Sequence, residues 1–278
     1  MSTHHSNSFV YPWYDSLWLD RYTRARAIIS RSNRAALEAF DRAMHVFRTP
    51  AEFEVKRFDR VFDDDTLTQI RTLVSTLKPT DFELHEVQTF KRFVVHNHPR
   101  FTELQGQLVD LVSAAAGEPV DASYNFLSLY SSLGVCPVHM DSPEAKWTLD
   151  ICLNQTEPWP IYFSKVQPWP ESDPTAIAAV PAPWLATDWE QAVKQSPLAG
   201  FDSFVMQPGQ ALLFSGSSQW HYRDAMPARS TRSSCDLLFF HFIPRGTREL
   251  LKPENWATLF GVPELDGIAD LPRTTAAG

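Results

Sequence analysis

The segment SLYSSLGVCPVHMDSPEAKWTLDICLN, residues 128–154, decides how this sequence is interpreted. It places His139 and Asp141 one residue apart beside a strongly apolar run. Side chains at positions i and i+2 of a β-strand point to the same face, so these two would converge on one spot. Such a pair is either a hydrogen-bonded core pair or two ligands of a metal ion, and the rest of the chain has to distinguish the two.

The composition is that of an ordinary globular protein. The 278 residues are 44% hydrophobic and 21% charged, which suits one large domain or two small ones, and we predict a single domain over residues 1–278. The net charge of −8 argues against a nucleic-acid partner, which would need a basic surface, and against an anionic membrane as the main partner.

The cysteines and the termini bear on location. Three widely separated cysteines without a CxxC motif (Cys136, Cys152 and Cys235) indicate a reducing compartment with no disulfide framework. The first residues lack the basic and apolar segments of a signal peptide, and no run of 18 apolar residues predicts a membrane span. We therefore expect a cytoplasmic protein.

Residues 1–120 are predicted to form a mixed, mainly helical support. Apolar residues recur at helical spacing in residues 32–47, 63–79 and 101–117, with Gly117 as the expected end of the third helix. Between them, residues 52–62 and 90–97 have the pattern of strands.

Residues 121–250 are predicted to form a β core. Eight short apolar or alternating runs, separated by Gly, Pro and Ser, indicate a sandwich or small barrel. The runs are residues 123–131, 136–141, 147–154, 159–166, 201–208, 211–216, 220–225 and 233–244. A Trp- and Pro-rich insert is expected at about 155–200, and residues 251–278 are expected to be a C-terminal tail.

A third candidate ligand, His221, follows the apolar run in PGQALLFSGSSQWHYRDAMP, residues 208–227. It could equally be a histidine at the rim of the barrel. Together with His139 and Asp141 it completes two imidazoles and one carboxylate, a set that suits non-haem Fe(II) with one face of the octahedron open. The three residues therefore favour a metal centre over a core pair.

A cation for an anionic ligand is expected near the start of the last strand. Arg232 and Ser234 would share a face there, and a guanidinium can bind a carboxylate through two hydrogen bonds. Arg229 and Arg223 compete with Arg232; for Arg223 we expect a surface ion pair with Asp224 or a supporting role. Three further histidines have weaker claims, His96 and His98 as cavity lining and His241 as a structural residue.

His139-Met140-Asp141, His221 and Arg232 resemble the signature of the Fe(II)- and 2-oxoglutarate-dependent dioxygenases, over about residues 121–245 and most of all in the prolyl-hydroxylase-like branch. The resemblance implies a mainly β fold with flanking helices around a double-stranded β-helix, a cupin-like jelly-roll. It implies Fe(II), O₂ and 2-oxoglutarate, whose far carboxylate would bind Arg232 with help from Ser234 and Tyr130. Cys152 stands where some relatives place a tyrosine on the cosubstrate.

The implied reaction is hydroxylation of an unactivated C–H bond in a small molecule, such as an amino acid or a biosynthetic intermediate, with release of succinate and CO₂. Arg92, Phe126 and Trp147 are candidate substrate contacts. Three alternatives stay open: the same chemistry on a peptide or protein residue, a cupin-like metal enzyme that does not use 2-oxoglutarate, and a non-catalytic binding module.

Overall fold

Two antiparallel β-sheets form the centre of the protein. The computed structural model describes residues 11–169, 182–227 and 229–270. In the six-stranded major sheet the strand order is β1-β8-β5-β10-β3-β2, and in the four-stranded minor sheet it is β4-β9-β6-β7. The strands are β1 Lys56–Phe58, β2 Arg92–His96, β3 Val120–Tyr130, β4 Cys136–His139, β5 Trp147–Gln155, β6 Ile161–Phe163, β7 Asp202–Phe204, β8 Ala211–Phe214, β9 His221–Arg223 and β10 Cys235–Pro244.

The eight strands β3 to β10 follow a jelly-roll order. Four of them lie in the major sheet as β3-β10-β5-β8 and the other four make the whole minor sheet, so the chain crosses repeatedly between the sheets. Apolar side chains of both sheets share one buried cluster between them. This arrangement is a double-stranded β-helix, and it confirms the predicted fold class and all eight predicted runs. β1 and β2 extend the major sheet on either side.

The central strand β5 is buried on both faces along most of its length, and its apolar and polar side chains alternate. Leu149 and Ile151 point outward into a cluster with residues of the N-terminal helices. Asp150 and Cys152 alternate with them and face the interior of the barrel. A polar residue in β5 at an inward position is therefore placed next to the minor sheet.

The helices surround the sheets. Their bounds are α1 Leu17–Ser32, α2 Arg34–Met44, α3 Asp64–Thr76, α4 Pro99–Gln107, α5 Val109–Ala116, α6 Trp189–Gln195 and α7 Trp256–Phe260. The side chain of Asn33 caps α2 by accepting from the Ala36 N–H at 3.1 Å, and Asp63 does the same for α3 from Thr66 at 2.7 Å. The predicted third helix is two helices, α4 and α5, and it ends as expected at Gly117 with a φ of 76°.

The helices α1 and α2 pack against residues 251–270 at one side of the barrel. Trp18 and Tyr22 of α1 lie against Phe40 of α2 and Trp256 of α7, with ring centroids 5.5–5.7 Å apart for three of these contacts. Residues 251–270, expected to be a tail, therefore complete an apolar core. Residues 271–278 lie outside the described part of the chain.

The expected insert at 155–200 starts too early. β6 lies inside that range and pairs with both β7 and β9, so it belongs to the minor sheet. The segment outside the strands begins after Phe163 and includes α6; residues 170–181 of it are outside the described ranges. Among the described residues, no helix combines the length and apolar character needed to cross a membrane.

Candidate metal centre

Three potential metal ligands converge at one end of the minor sheet. His139 ends β4, His221 begins β9, and the two residues are register partners. The His139 Nε2 and His221 Nε2 atoms lie 3.5 and 3.6 Å from the Asp141 Oδ1 atom. One ligand atom from each residue lies within 4.8 Å of the others, as in a site that encloses a single ion. The structure thus brings together the three residues that the sequence predicts as ligands.

Backbone carbonyls set the orientation of both imidazoles. The His139 Nδ1 atom lies 2.8 Å from the Pro137 carbonyl, and the His221 Nδ1 atom lies 3.0 Å from the Gln219 carbonyl. A carbonyl only accepts, so each Nδ1 carries a proton and each ring directs its Nε2 atom toward the centre. The ring orientation that a metal ion needs is therefore set by the backbone.

The absence of a side chain at Gly216 leaves room for the Asp141 carboxylate. The Asp141 N–H donates to the Gly216 carbonyl at 2.9 Å, and the Gly216 N–H donates to the Lys146 carbonyl at 3.1 Å. A Cβ atom at position 216 would lie 2.2 Å from the Asp141 Oδ2 atom and 2.5 Å from the Ala145 carbonyl oxygen. Position 216 therefore accepts only a residue without a side chain.

The charges of the centre favour an ionised Asp141. Burial alone would raise the pKa of this carboxyl, but His221 and His139 beside it hold the pKa well below its usual range. Burial, with the neighbouring His139, lowers the pKa of His221, so its Nε2 keeps its lone pair at neutral pH. Burial would lower the pKa of His139, but Cys136 and Asp141 beside it raise the pKa well above its usual range. Ligands bind in the deprotonated form, so Asp141 and His221 are ready for a metal ion, whereas an ion at His139 has to displace a proton.

A cavity of about 160 Å³ opens beside these ligands, and we call it the central cavity. Its wall combines aromatic rings from β3 and β10 with polar groups from the N-terminal segment, β2 and β9. It is lined by Tyr14, Asp15, His85, Glu86, Phe90, Arg92, His96, Tyr124, Phe126, Tyr130, Cys136, His139, Asp141, Thr148, Ile161, Phe214, His221, Arg223, Phe239 and His241.

Two buried arginines line the central cavity, and each already contacts a carboxylate. Arg223 donates to the Asp150 Oδ2 atom at 3.1 Å and to the Trp159 carbonyl at 2.6 Å. Arg92 forms an ion pair with Glu86 and donates to the Tyr130 hydroxyl at 2.8 Å. The expected surface pair of Arg223 with Asp224 is wrong, because Arg223 is buried within the barrel and Asp224 pairs with Lys194 instead.

Three predicted site residues lie away from the cavity. Arg232 and Ser234 precede β10, which begins only at Cys235; Arg232 is exposed, and the backbone of Ser234 bonds to Thr156. Trp147 faces outward, where its indole N–H donates to Glu118 at 2.6 Å. The short 3-10 helix Pro143–Ala145 resets the alternation between Asp141 and β5, so the period of two does not extend to Trp147.

Most of the remaining predicted residues line the central cavity. Tyr130, Phe126, Arg92 and His96 all line it, whereas His98 caps α4 by accepting from the Arg100 N–H at 3.3 Å. Sequence reasoning missed two contributors. His241 was expected to be purely structural, although its alternation with Phe239 in β10 signals an inward position. Asp15 lies far from the core in sequence, and nothing in its surroundings signals a site.

Asp15 is a partly buried carboxyl group close to the metal centre. Its backbone has a φ of 66°, and its Oδ2 atom accepts from the Ser142 N–H at 2.8 Å, next to Asp141. Burial, together with the charge of Asp141, raises the pKa of Asp15 to about 7, against the lowering effect of that hydrogen bond. Asp15 thus adds a third carboxyl group to the lining of the cavity, besides Asp141 and Glu86.

Comparisons with known proteins give only distant structural similarity. No protein-family profile and no curated protein matches the chain. HygX from Streptomyces hygroscopicus, solved with nickel, 2-oxoglutarate and hygromycin B bound, is 13% identical over 77% of this chain and 88% of that chain, with a TM-score of 0.47. AviO1 from Streptomyces viridochromogenes Tue57 is 15% identical over 74% and 95%, with a TM-score of 0.48. EctD from S. alaskensis, solved with bound Fe, is 14% identical over 77% and 76%, with a TM-score of 0.48. Similarities at this level carry no argument about the reaction.

Proposed function

We propose that the protein is an Fe(II)- and 2-oxoglutarate-dependent dioxygenase that hydroxylates a small molecule. The observation that carries this proposal is the convergence of His139, Asp141 and His221 in a buried site whose two imidazoles already present Nε2. Two imidazoles and one carboxylate are the donor set of non-haem Fe(II) oxygenases, in which three coordination positions stay open. The residues present therefore fit the implied metal.

Fe(II) held by these residues, with 2-oxoglutarate and O₂, would supply the oxidising power to hydroxylate an unactivated C–H bond with release of succinate and CO₂. The protein's own part is to hold the cosubstrate and the substrate next to the metal and to exclude water from the site. The central cavity is small, about 160 Å³, and this size favours a free small molecule over a peptide or protein residue.

We assign the far carboxylate of 2-oxoglutarate to Arg223 in place of Arg232. Arg223 lies two residues after His221 on β9, so both side chains point to the same face, and it lines the central cavity. A guanidinium has five N–H donors, so Arg223 can bind a second carboxylate beside Asp150. Arg92 and Tyr130 lie on the same wall and would support the same group.

The test is an anaerobic titration of the metal-free protein with Fe(II) and then 2-oxoglutarate, followed by visible absorption. We expect a weak charge-transfer band that requires both additions and is absent in Asp141→Ala. In Arg223→Lys, 2-oxoglutarate should bind about ten- to a hundredfold more weakly, because a hydrogen bond between charged groups contributes about 1.5–3 kcal/mol. Lysine keeps the positive charge opposite Asp150, which protects the fold.

Arg232→Ala is the matched control and should leave the affinity for 2-oxoglutarate unchanged. If Arg232→Ala weakens binding and Arg223→Lys does not, the assignment of the cosubstrate site is wrong while the function stands. If Fe(II) binds and 2-oxoglutarate produces no band at any concentration, the proposed function is wrong.

A metal enzyme that does not use 2-oxoglutarate is the second candidate. One observation favours it: both arginines of the central cavity are already paired, with Glu86 and with Asp150, so their charges are balanced without a bound carboxylate. The same titration separates the two candidates, since this one predicts metal binding without a band.

A further inference from the structure

His241 has an unsatisfied nitrogen on the wall of the central cavity. The side chain is only 2% exposed, and its Nε2 atom is buried without a hydrogen-bond partner. Its ring stacks on Tyr124, with centroids 4.2 Å apart and planes 24° apart, which fixes the direction of the ring edge. A buried polar atom without a partner carries a free-energy cost of about 1–3 kcal/mol, which a ligand can remove.

The neighbours of His241 determine what this nitrogen can bind. The His241 Nδ1 atom lies 3.0 Å from the Thr148 hydroxyl, which also lies 3.3 Å from the Ala145 carbonyl oxygen and 3.5 Å from the Asp141 Oδ2 atom. These last two atoms only accept, so the hydroxyl proton is best placed toward them and Nδ1 donates to Thr148. The Nε2 atom is then unprotonated and accepts hydrogen bonds, so its partner has to be an O–H or N–H donor.

The imidazole stays neutral, so Nε2 remains an acceptor. Burial lowers the pKa of His241 to about 3, well below the pH at which the ring would gain a proton in water. The Thr148 hydroxyl also links His241 to the metal ligand Asp141. A molecule bound to Nε2 would therefore be held at a fixed position relative to the metal.

Asp15 is a second acceptor that lines the central cavity. Its Oδ2 atom holds the Ser142 N–H, and no arginine or lysine of the described residues forms an ion pair with it. The arginines of the cavity are matched by Glu86 and Asp150, and Asp141 faces the metal. Asp15 is therefore the carboxyl group of this set that no arginine or lysine of the described residues pairs with. Its pKa of about 7 leaves it partly protonated at neutral pH, and an ammonium group beside it would stabilise the carboxylate.

We infer that the substrate is an amine, bound with its ammonium group on the Asp15 carboxylate and with an O–H or N–H donor on the His241 Nε2 atom. This inference rests on the proposed function and specifies its substrate class. A ligand with a carboxylate in place of the ammonium group would put a second negative charge next to Asp15, which is unfavourable in a buried cavity.

The experiment measures binding by calorimetry on the Fe(II)-loaded protein with 2-oxoglutarate, without O₂. The probes are two matched sets: 4-aminobutanol, its N-acetyl derivative and 4-hydroxybutanoate, and glucosamine, N-acetylglucosamine and glucuronic acid. We expect the amine of at least one set to bind at least tenfold more tightly than its neutral and anionic counterparts, and to perturb the charge-transfer band.

Asp15→Asn is the decisive variant. Asparagine tolerates the left-handed backbone at position 15 and can still accept from Ser142, so the change removes the charge and little else. It should remove the preference for the amine, whereas Asp110→Asn, at an exposed position of α5 outside the cavity, should not. His241→Phe should weaken the amine about tenfold and leave the affinity for 2-oxoglutarate unchanged; His241→Asn, a smaller variant, serves if phenylalanine perturbs the thermal unfolding.

Three results would overturn the inference: no amine binding, equal binding of all three members of both sets, or an unchanged amine preference in Asp15→Asn. None of these affects the band formed by Fe(II) and 2-oxoglutarate, so the proposed function would stand. Conversely, amine binding that depends on Asp15 in a protein without the band would support the substrate class and refute the dioxygenase chemistry.

Discussion

Replacing Gly216 with alanine should impair the metal centre through a single methyl group. The new Cβ atom would lie 2.2 Å from the Asp141 Oδ2 atom, 2.5 Å from the Ala145 carbonyl oxygen and 2.9 Å from the Thr148 Oγ1 atom. To reach an ordinary contact distance, the carboxylate has to move by about 1 Å, whereas metal–ligand distances are held within about 0.2 Å. We expect Fe(II) to bind about 10- to 100-fold more weakly, as for changes in the partners of metal ligands.

The assay is competition for Fe(II) against a chromophoric chelator under anaerobic conditions, with thermal unfolding measured on the same samples. Gly216 has no left-handed backbone requirement, so overpacking is the one source of destabilisation, about 1–3 kcal/mol. Gly106→Ala is the control, because a Cβ there meets no atom within 4 Å. Wild-type Fe(II) affinity in a folded Gly216→Ala protein would refute this account of Asp141.

Two further changes test buried polar groups. The pKa of His241 is lowered to about 3, so below about pH 6.5 the unfolded chain gains a proton at this residue that the folded protein does not. Between pH 7 and pH 5 the free energy of unfolding should therefore fall by about 2 kcal/mol more in the wild type than in His241→Phe. The measurement is urea unfolding of the metal-free proteins at each pH. An equal pH dependence in both proteins would contradict the neutral, buried imidazole. Lys146, 2% exposed, donates to the Val46 carbonyl and to Glu118, so Lys146→Met should lower the free energy of unfolding by about 2–3 kcal/mol in the same assay, whereas Lys91→Met on the surface should have little effect.

The sequence predicted the strands and the pairing of His139 with Asp141 because both depend on local patterns. The eight apolar runs correspond to strands buried on at least one face, and the His-x-Asp spacing places two ligands together at the end of β4. Arg232 lies outside the central cavity, and its predicted place there depended on where β10 begins. The strand starts at Cys235, so the period of two does not reach Arg232, whereas the same period applied to β9 places Arg223 beside His221.

Other parts of the site depend on tertiary contacts that no local pattern reports. Asp15 reaches the centre because the N-terminal segment packs across the loop after β4, and Gly216 matters only because Asp141 lies against it. Trp147 was misassigned for a related reason: one short 3-10 helix between Asp141 and β5 changes which residues face inward. Close approaches between distant segments decide the positions of Asp15 and Gly216, whereas a local break in the strand pattern decides that of Trp147.

The pairing of β4 with β9 makes the metal a part of the barrel's mechanical structure. The two strands share only two register pairs, Cys136 with Arg223 and His139 with His221, and the ladder is irregular between them. An ion bound by His139, Asp141 and His221 would cross-link these strands at the point where their hydrogen bonding is sparse, and would close a long chain segment at the same time. Loss of such an ion would thus loosen the minor sheet at β4, and the metal-free protein should be cleaved there by a protease faster than the metal-loaded protein.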